Sequence, residues 1–327
     1  MHSLCKSPRV LVTGSLGQIG TELVSTLRMK YGAENVLASD IKFPTEKAKF
    51  DVEGPFKYVN TNNIEQIKEA VVNFRANKVI HLSSILSATG EQNPDLAMEV
   101  NSHGAENCFK VCNYYGASLL IPSSIAAFGP ETPRHNTPDL CIQRPLTMYG
   151  ISKVYIELLG NWYNQKKGLD FRSLRLPGII SWKALPGGGT TDYAIDIYYQ
   201  ALKKGHYTNC FLKKDTRMPM MYMDDCIRGI IELLEAKNEN LKQRTYNLGA
   251  IDFTPEEIYE SIKKVMPKFK IDYKPDFRQS IADTWPTSID SSCAKKDWGW
   301  EHDYDLDKMT DVMLMNLKKE IICLSEF

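Results

Sequence analysis

Tyr149 and Lys153 stand four residues apart in "YGISK", the spacing that stacks two side chains on one face of a helix. A phenol beside an ammonium loses its proton more readily and can then act as a general base toward an alcohol. The spacing alone decides nothing. It recurs at Tyr163/Lys167, Tyr199/Lys203, Tyr259/Lys263 and Tyr304/Lys308, and chance supplies about one or two such pairs in a chain this rich in both residues. Only position along the chain can separate a catalytic pair from its decoys.

A second group of residues speaks of phosphate. "VTGSLGQIG" places Gly14, Gly17 and Gly20 three apart, after a β-branched run and before an apolar helical pattern. The first glycine allows a sharp turn and the second allows close approach of a pyrophosphate. The third allows tight packing, and the helix N-terminus, with Gln18 and Ile19, faces the phosphate charge. Asp40 follows twenty residues later, at the end of the next strand. A carboxylate there accepts both ribose hydroxyls of NAD and repels the 2′-phosphate of NADP. No arginine adjoins it, although Lys42 is close. The residues point to NAD.

These motifs need a scaffold. "RVLVT" (9–13), "NVLAS" (35–39), "FKYV" (56–59), "KVIHL" (78–82), "SLLIP" (118–122) and "FRSLRL" (171–176) read as strands, with helices between them, including 94–115 and 147–167. Strands alternating with helices predict an α/β fold, a Rossmann-type doubly wound parallel sheet with helices on both faces. Such sheets bind ligands beyond the carboxyl ends of their strands, where the motifs above converge. We expect an NAD-binding domain over 1–180. The less regular 181–327 should form mainly a smaller substrate-binding lobe, with parts returning to the first domain.

Bulk properties exclude other classes. Lysine plus arginine and aspartate plus glutamate number 40 each, so the basic footprint of a nucleic-acid binder is missing. No apolar run reaches the ~18 residues that a membrane span needs. The eight cysteines form no Cys-x-x-Cys and have no histidine cluster beside them. They read as buried small hydrophobes in a reducing, intracellular compartment, with no metal site. Only eight residues precede Arg9, fewer than a full signal or transit peptide. A processed precursor or a very short import signal stays open.

The GxxGxxG turn, "PSSIAAFG" (122–129), "YGISK" and "LRLPGII" (174–180), taken in order, resemble the extended branch of the short-chain dehydrogenase/reductase superfamily that includes UDP-galactose 4-epimerase. The resemblance implies that Tyr149 is the catalytic base, because it opens the helix that follows the strand-five serines, whereas the decoys lie further along that helix or elsewhere. Lys153 would lower its pKa and hold the nicotinamide ribose. Ser124 would hydrogen-bond the substrate oxygen, with Ser123 as the fallback. Asn101 would support the cofactor site and Pro177 would line the nicotinamide. Taking the phenol from its usual pKa of about 10 to about 7.5 requires about 3.4 kcal/mol, within reach of Lys153 and a cationic nicotinamide together. Where the family often has an aspartate for the adenine amino group, this chain has Asn60, whose amide oxygen can still accept that bond.

Later segments narrow the likeness. "HLSSILSATGEQNP", "TPRHNTPDLCIQRPLTMYG", "LPGGGTTDYA", "RMPMMYMDDCIR" and "ADTWPTS" are similar to the L-threonine 3-dehydrogenases of that branch. This implies L-threonine as substrate and 2-amino-3-oxobutyrate plus NADH as products. Ser87, Gly188, Thr190, Thr191 and Asp192 would then hold the carboxylate and ammonium, with Trp285 as an apolar lid. It also implies a homodimer through the 147–167 helix, with Val154, Leu158, Leu159 and Trp162 available for packing. The compartment implied by relatives in nucleated cells is the mitochondrial matrix, with the cytoplasm as alternative. Two rivals are weighed against this reading. A nucleotide-sugar epimerase or dehydratase would retain its NAD through each turnover, and a non-catalytic NAD-binding module would have no use for Tyr149 and Lys153.

Overall fold

The computed structural model describes residues 8–45, 49–183, 187 and 189–325. The chain begins with β1 (Val10–Thr13), α1 (Gln18–Tyr31), β2 (Val36–Asp40), β3 (Phe56–Tyr58), α2 (Ile64–Phe74) and β4 (Lys78–His81). Two short helices follow, α3 (Ser87–Gln92) and α4 (Pro94–Met98), and then α5 (Gly104–Tyr115). Next come β5 (Ser118–Leu120), the two-residue β6 (Ser123–Ser124), α6 (Met148–Lys167), β7 (Phe171–Leu176) and β8 (Gly178–Ile180). The remainder is α7 (Tyr193–Lys204), β9 (His206–Cys210), β10 (Met218–Tyr222), α8 (Met223–Glu235), β11 (Thr245–Asn247) and β12 (Ile251–Phe253). It closes with α9 (Pro255–Val265), β13 (Lys270–Tyr273), α10 (Arg278–Ala282), α11 (Ser292–Trp298) and α12 (Leu306–Ser325).

The main sheet runs β11-β7-β5-β4-β1-β2-β3, with β6 paired to β7, and every pairing in it is parallel. Helices cover both faces, as the alternating sequence predicts. Val10, Val12, Ile80 and Leu174 pack toward α1 and α8, while Leu11, Val79, Leu119 and Phe171 pack toward α2, α5 and α6. Neighbouring residues of one strand thus enter opposite cores, as the pleat demands. All six expected strands are present. The seventh, β11, comes from the last third of the chain.

A third core, with Tyr193, Tyr198, Met218, Met220, Phe253 and Ile258 among its members, gathers residues mostly from beyond position 180. It carries a three-stranded sheet, β12-β10-β8, and a β13-β9 pair. The expected helix over 94–115 is one continuous path in three parts, because a π-helical turn over Glu99–His103 joins α4 to α5. No helix among the described residues is long and apolar enough to cross a membrane.

Candidate functional site

The first wall of the site is the turn between β1 and α1. Gly14 has φ +68°, and a Cβ there would lie 2.6 Å from the Ser83 nitrogen. The backbone leaving β4 therefore runs directly against the turn, and only glycine fits. A Cβ on Gly20 would lie 2.5 Å from the Gly14 carbonyl oxygen, so the third glycine lets the helix start tight against the turn itself. Asp40 ends β2 beside it. Its carboxylate accepts hydrogen bonds from the backbone N–H groups of Leu16 (3.0 Å) and Lys42 (3.2 Å).

The second wall is α6, capped by the Thr147 hydroxyl on the Gly150 amide at 3.1 Å and ended by Gly168 in the left-handed region. Gly160 lets this helix sit flat on β7, since a Cβ there would meet the Phe171 ring at 2.0 Å. Lys153 is buried, only 6% exposed, and its Nζ donates to the Pro122 carbonyl at 2.9 Å. The ammonium lies 5.2 Å from the centre of the Tyr149 ring. The Ser124 hydroxyl, which accepts from the Ala126 amide at 3.2 Å, stands close enough to Tyr149 to favour its phenolate.

Cation over ring does not itself mark the site. Lys203 over Tyr199 (5.3 Å), Lys263 over Tyr259 (5.2 Å) and Lys308 over Tyr304 (4.2 Å) show the same geometry. Tyr163 instead stacks on Phe109. Of the five pairs, only Tyr149/Lys153 borders the main cleft, where Gly14, Gly17, Ser124 and Pro177 also lie.

That cleft holds a cavity of about 250 Å³ that opens to solvent, near the lower end of the roughly 300–1,000 Å³ of ordinary small-ligand sites. The side-chain-free cradle at Gly14, Gly17 and Gly20 fits a pyrophosphate, and Asp40 lies beside the same turn. The residues present fit NAD.

Burial dominates the electrostatics. It pushes the Tyr149 phenol up to about 12, with Ser124 pulling the other way. It pushes the Lys153 ammonium down to about 8, with Glu157 opposing. The Tyr–Lys spacing predicts a lowered phenol; within the protein alone its direction is the reverse, because enclosing a phenolate in apolar surroundings costs more than its polar neighbour returns.

The expected substrate residues converge only in part. Ser87 and Thr190 meet, their hydroxyls 3.1 Å apart and buried, and Thr191 lines the same cleft. Asp192 accepts from the Gly189 amide at 2.9 Å, and so shapes the loop as well as facing the cleft. Trp285 borders the cleft but is 4% exposed; it is a packed wall. Gly188 lies outside the described residues. Gln18 and Ile19 line the cleft, and Gln18 also donates to the Ile179 carbonyl at 3.2 Å, tying α1 to the Pro177 segment. Asn101 does not reach the cleft wall. Its amide holds the Ile85 backbone at 2.8 and 3.1 Å and the Ser152 hydroxyl at 3.3 Å, fastening the loop after β4 to α6. Asn60 accepts from the Asn62 amide at 3.0 Å, stabilising its own turn.

Two groups escaped the sequence reading. His81, at the end of β4, lines the cleft with Nδ1 2.7 Å from the Thr13 hydroxyl, and burial pushes it down to about 3, so it is neutral. A strand-ending histidine was its only signal. Glu157 and Arg175 form a buried ion pair at 2.8 Å behind Ser123, and residues that far apart carry no local sign of one another. Among the described residues no group of three or more His, Cys, Asp or Glu could hold a metal ion.

A glycine turn and a Tyr–Lys–Ser constellation on the wall of one cleft define the class. The NAD-dependent epimerase/dehydratase family model matches residues 10–249, and the chain belongs to that family, within the extended short-chain dehydrogenase/reductase group; its cofactor is NAD. More narrowly, it is similar to the mitochondrial L-threonine 3-dehydrogenase of Bos taurus, 50% identical over 94% of this chain and 82% of the bovine one. Its fold is similar to the crystal structure of L-threonine dehydrogenase from Phytophthora infestans, with a TM-score of 0.92 and 52% identity over 95% of this chain and 99% of that one. It is also similar to a monomeric L-threonine 3-dehydrogenase from a metagenome, with a TM-score of 0.91 and 44% identity over 95% and 99%.

Proposed function

We propose that this chain oxidises the 3-hydroxyl of L-threonine to 2-amino-3-oxobutyrate, with Tyr149 as general base. The observation that carries the reading is that Tyr149/Lys153, alone among five Tyr-x-x-x-Lys pairs, borders the glycine-turn cleft, together with Ser124. The near full-length similarity to threonine dehydrogenases supports the substrate. Bound NAD supplies a hydride acceptor and a positive charge. Ser124 holds the substrate oxygen, Tyr149 takes its proton, and Lys153 favours the phenolate. Moving a phenol from about 12 to about 7.5 requires about 6 kcal/mol, more than the 1–3 units that one neighbouring cation gives. Tyr149 is therefore competent only when the cleft is charged and filled. Ser87, Thr190, Thr191 and Asp192 are the proposed partners of the amino-acid carboxylate and ammonium.

The test is NADH formation with L-threonine set against serine, D-threonine, L-allo-threonine and a UDP-sugar. L-threonine should be strongly preferred, and Tyr149→Phe should lower kcat by about 10²-fold or more. Undiminished NADH production by that variant would remove the phenol from the mechanism. Turnover of the UDP-sugar with NAD retained would favour the epimerase reading. The bovine relative also supports a mitochondrial address, which organelle fractionation would check.

A further inference from the structure

Three consecutive residues after β5 each face one residue of a single stripe on α6. The Pro122 carbonyl accepts from Lys153 Nζ at 2.9 Å and the Ser123 hydroxyl donates to Glu157 Oε1 at 2.5 Å, while Ser124 stands beside Tyr149 on the cleft wall. Tyr149, Lys153 and Glu157 follow at four-residue intervals, so they share one helix face. Two of the three rungs belong to the site described above. In the third, Ser123 also borders the cleft, but Glu157 stands behind it and does not.

Glu157 is held on every side. Arg175 donates to both carboxylate oxygens, through Nε at 3.0 Å and a terminal nitrogen at 2.8 Å, and Gln143 donates at 3.0 Å. Arg175 is the register partner of Ser123 across β6 and β7. It is fixed in turn by the Asp139 carbonyl at 2.7 Å and Asn247 at 3.2 Å. Taking such an ion pair out of water costs about as much as it returns, and apolar residues of equal volume often stabilise as well. What the pair supplies that apolar residues cannot is a fixed geometry.

We infer that Glu157 is a positioning residue for the reaction: the rung that sets α6 against the Pro122–Ser124 strand end and so sets Tyr149 against Ser124. The inference rests on the proposed role of Tyr149. A helix released from this rung can slide along the strand end, and a misplacement of about 1 Å can cost about 10²-fold in rate. Glu157 also stands one turn from Lys153 and opposes the effect of burial on it. The other titratable groups facing Lys153 are Tyr149 on the same helix and His81 on β4. Around Glu157 stand Arg175 on β7 and Cys141 in the preceding loop, with Asp139 beyond them.

Two variants of the full chain separate position from charge. Ser123→Ala removes the rung and leaves the Glu157–Arg175 pair intact. It should lower kcat about ten-fold or more, leave KM for NAD unchanged, and leave the pH profile in place. Glu157→Gln keeps an acceptor oxygen but removes the charge. Lys153 then loses its proton at lower pH, and the alkaline limb of kcat should move down by about one pH unit. Should that variant fail to fold, Glu157→Asp replaces it, with kcat lowered and the limb unmoved. Full activity in Ser123→Ala or Glu157→Asp, or an unmoved limb in Glu157→Gln, overturns the inference. If Tyr149→Phe is inactive while Ser123→Ala is normal, only this inference falls; if Tyr149→Phe is active, the proposed function falls.

Discussion

Tyr149 and Lys153 are each held in surroundings that favour their neutral forms, and for Lys153, which is charged in the unfolded chain near neutral pH, this comes at the expense of the fold. Burial sets the Lys153 ammonium at about 8, below its ordinary 10.5. A lysine with a lowered folded value penalises the folded state wherever it is protonated. That penalty is complete below about pH 8 and disappears as pH rises through the unfolded value near 10.5. Lys153→Met should therefore abolish activity yet raise stability at pH 7 by about 2–3 kcal/mol, even after losing the bond to the Pro122 carbonyl. Urea unfolding at pH 7 and pH 10 reads the difference, which should shrink at the higher pH; equal or lower stability at pH 7 would refute it. At this scale local spacing was enough to bring Gly14, Ser124, Tyr149 and Lys153 to one cleft wall. The sequence was illegible where a role depends on distant partners. Nothing near Glu157 announces Arg175, and nothing near Asn101 shows that its amide is spent on the Ile85 backbone.

Among the elements, six strands could be read because each is a compact apolar run between turn signals. β11 could not, since "TYN" is three residues with no alternation to count, and its strand identity comes from pairing with β7. The break between α4 and α5 was equally hidden, because a π turn leaves the apolar pattern nearly continuous. The β1–α1 turn is the element most tightly bound to function. Gly14→Ala must place a methyl group against the backbone at Ser83 while holding a positive φ, a strain of about 1–3 kcal/mol before any clash relaxes. We expect a lower melting temperature and a KM for NAD raised at least about ten-fold, from about 1.4 kcal/mol of lost binding. An unchanged KM would mean that the turn does not carry the pyrophosphate.

For the molecule as a whole, the outer face of α6 poses the question of assembly. Ile151 (43% exposed), Tyr155 (36%), Leu158 (63%) and Trp162 (46%) follow one another at helical spacing and form an apolar stripe. Leu159, grouped with them on sequence grounds, instead packs inward against the sheet. A continuous apolar stripe on a helix is a natural two-fold contact, and we propose that a second copy covers it, although one similar enzyme is described as monomeric. Leu158→Glu should convert the dimer to monomer in sedimentation experiments at micromolar concentration while preserving the fold. A wild-type chain that already sediments as a monomer would sink the proposal.

The seventh strand has one more consequence, and it concerns how the molecule is made. β7 ends at Leu176 and its outer neighbour β11 begins only at Thr245. During synthesis at about 5–20 residues per second, the open edge of β7 waits several seconds for its partner. A bare strand edge recruits other chains, so the nascent protein is most vulnerable after its cofactor-binding half has emerged and before its last third arrives.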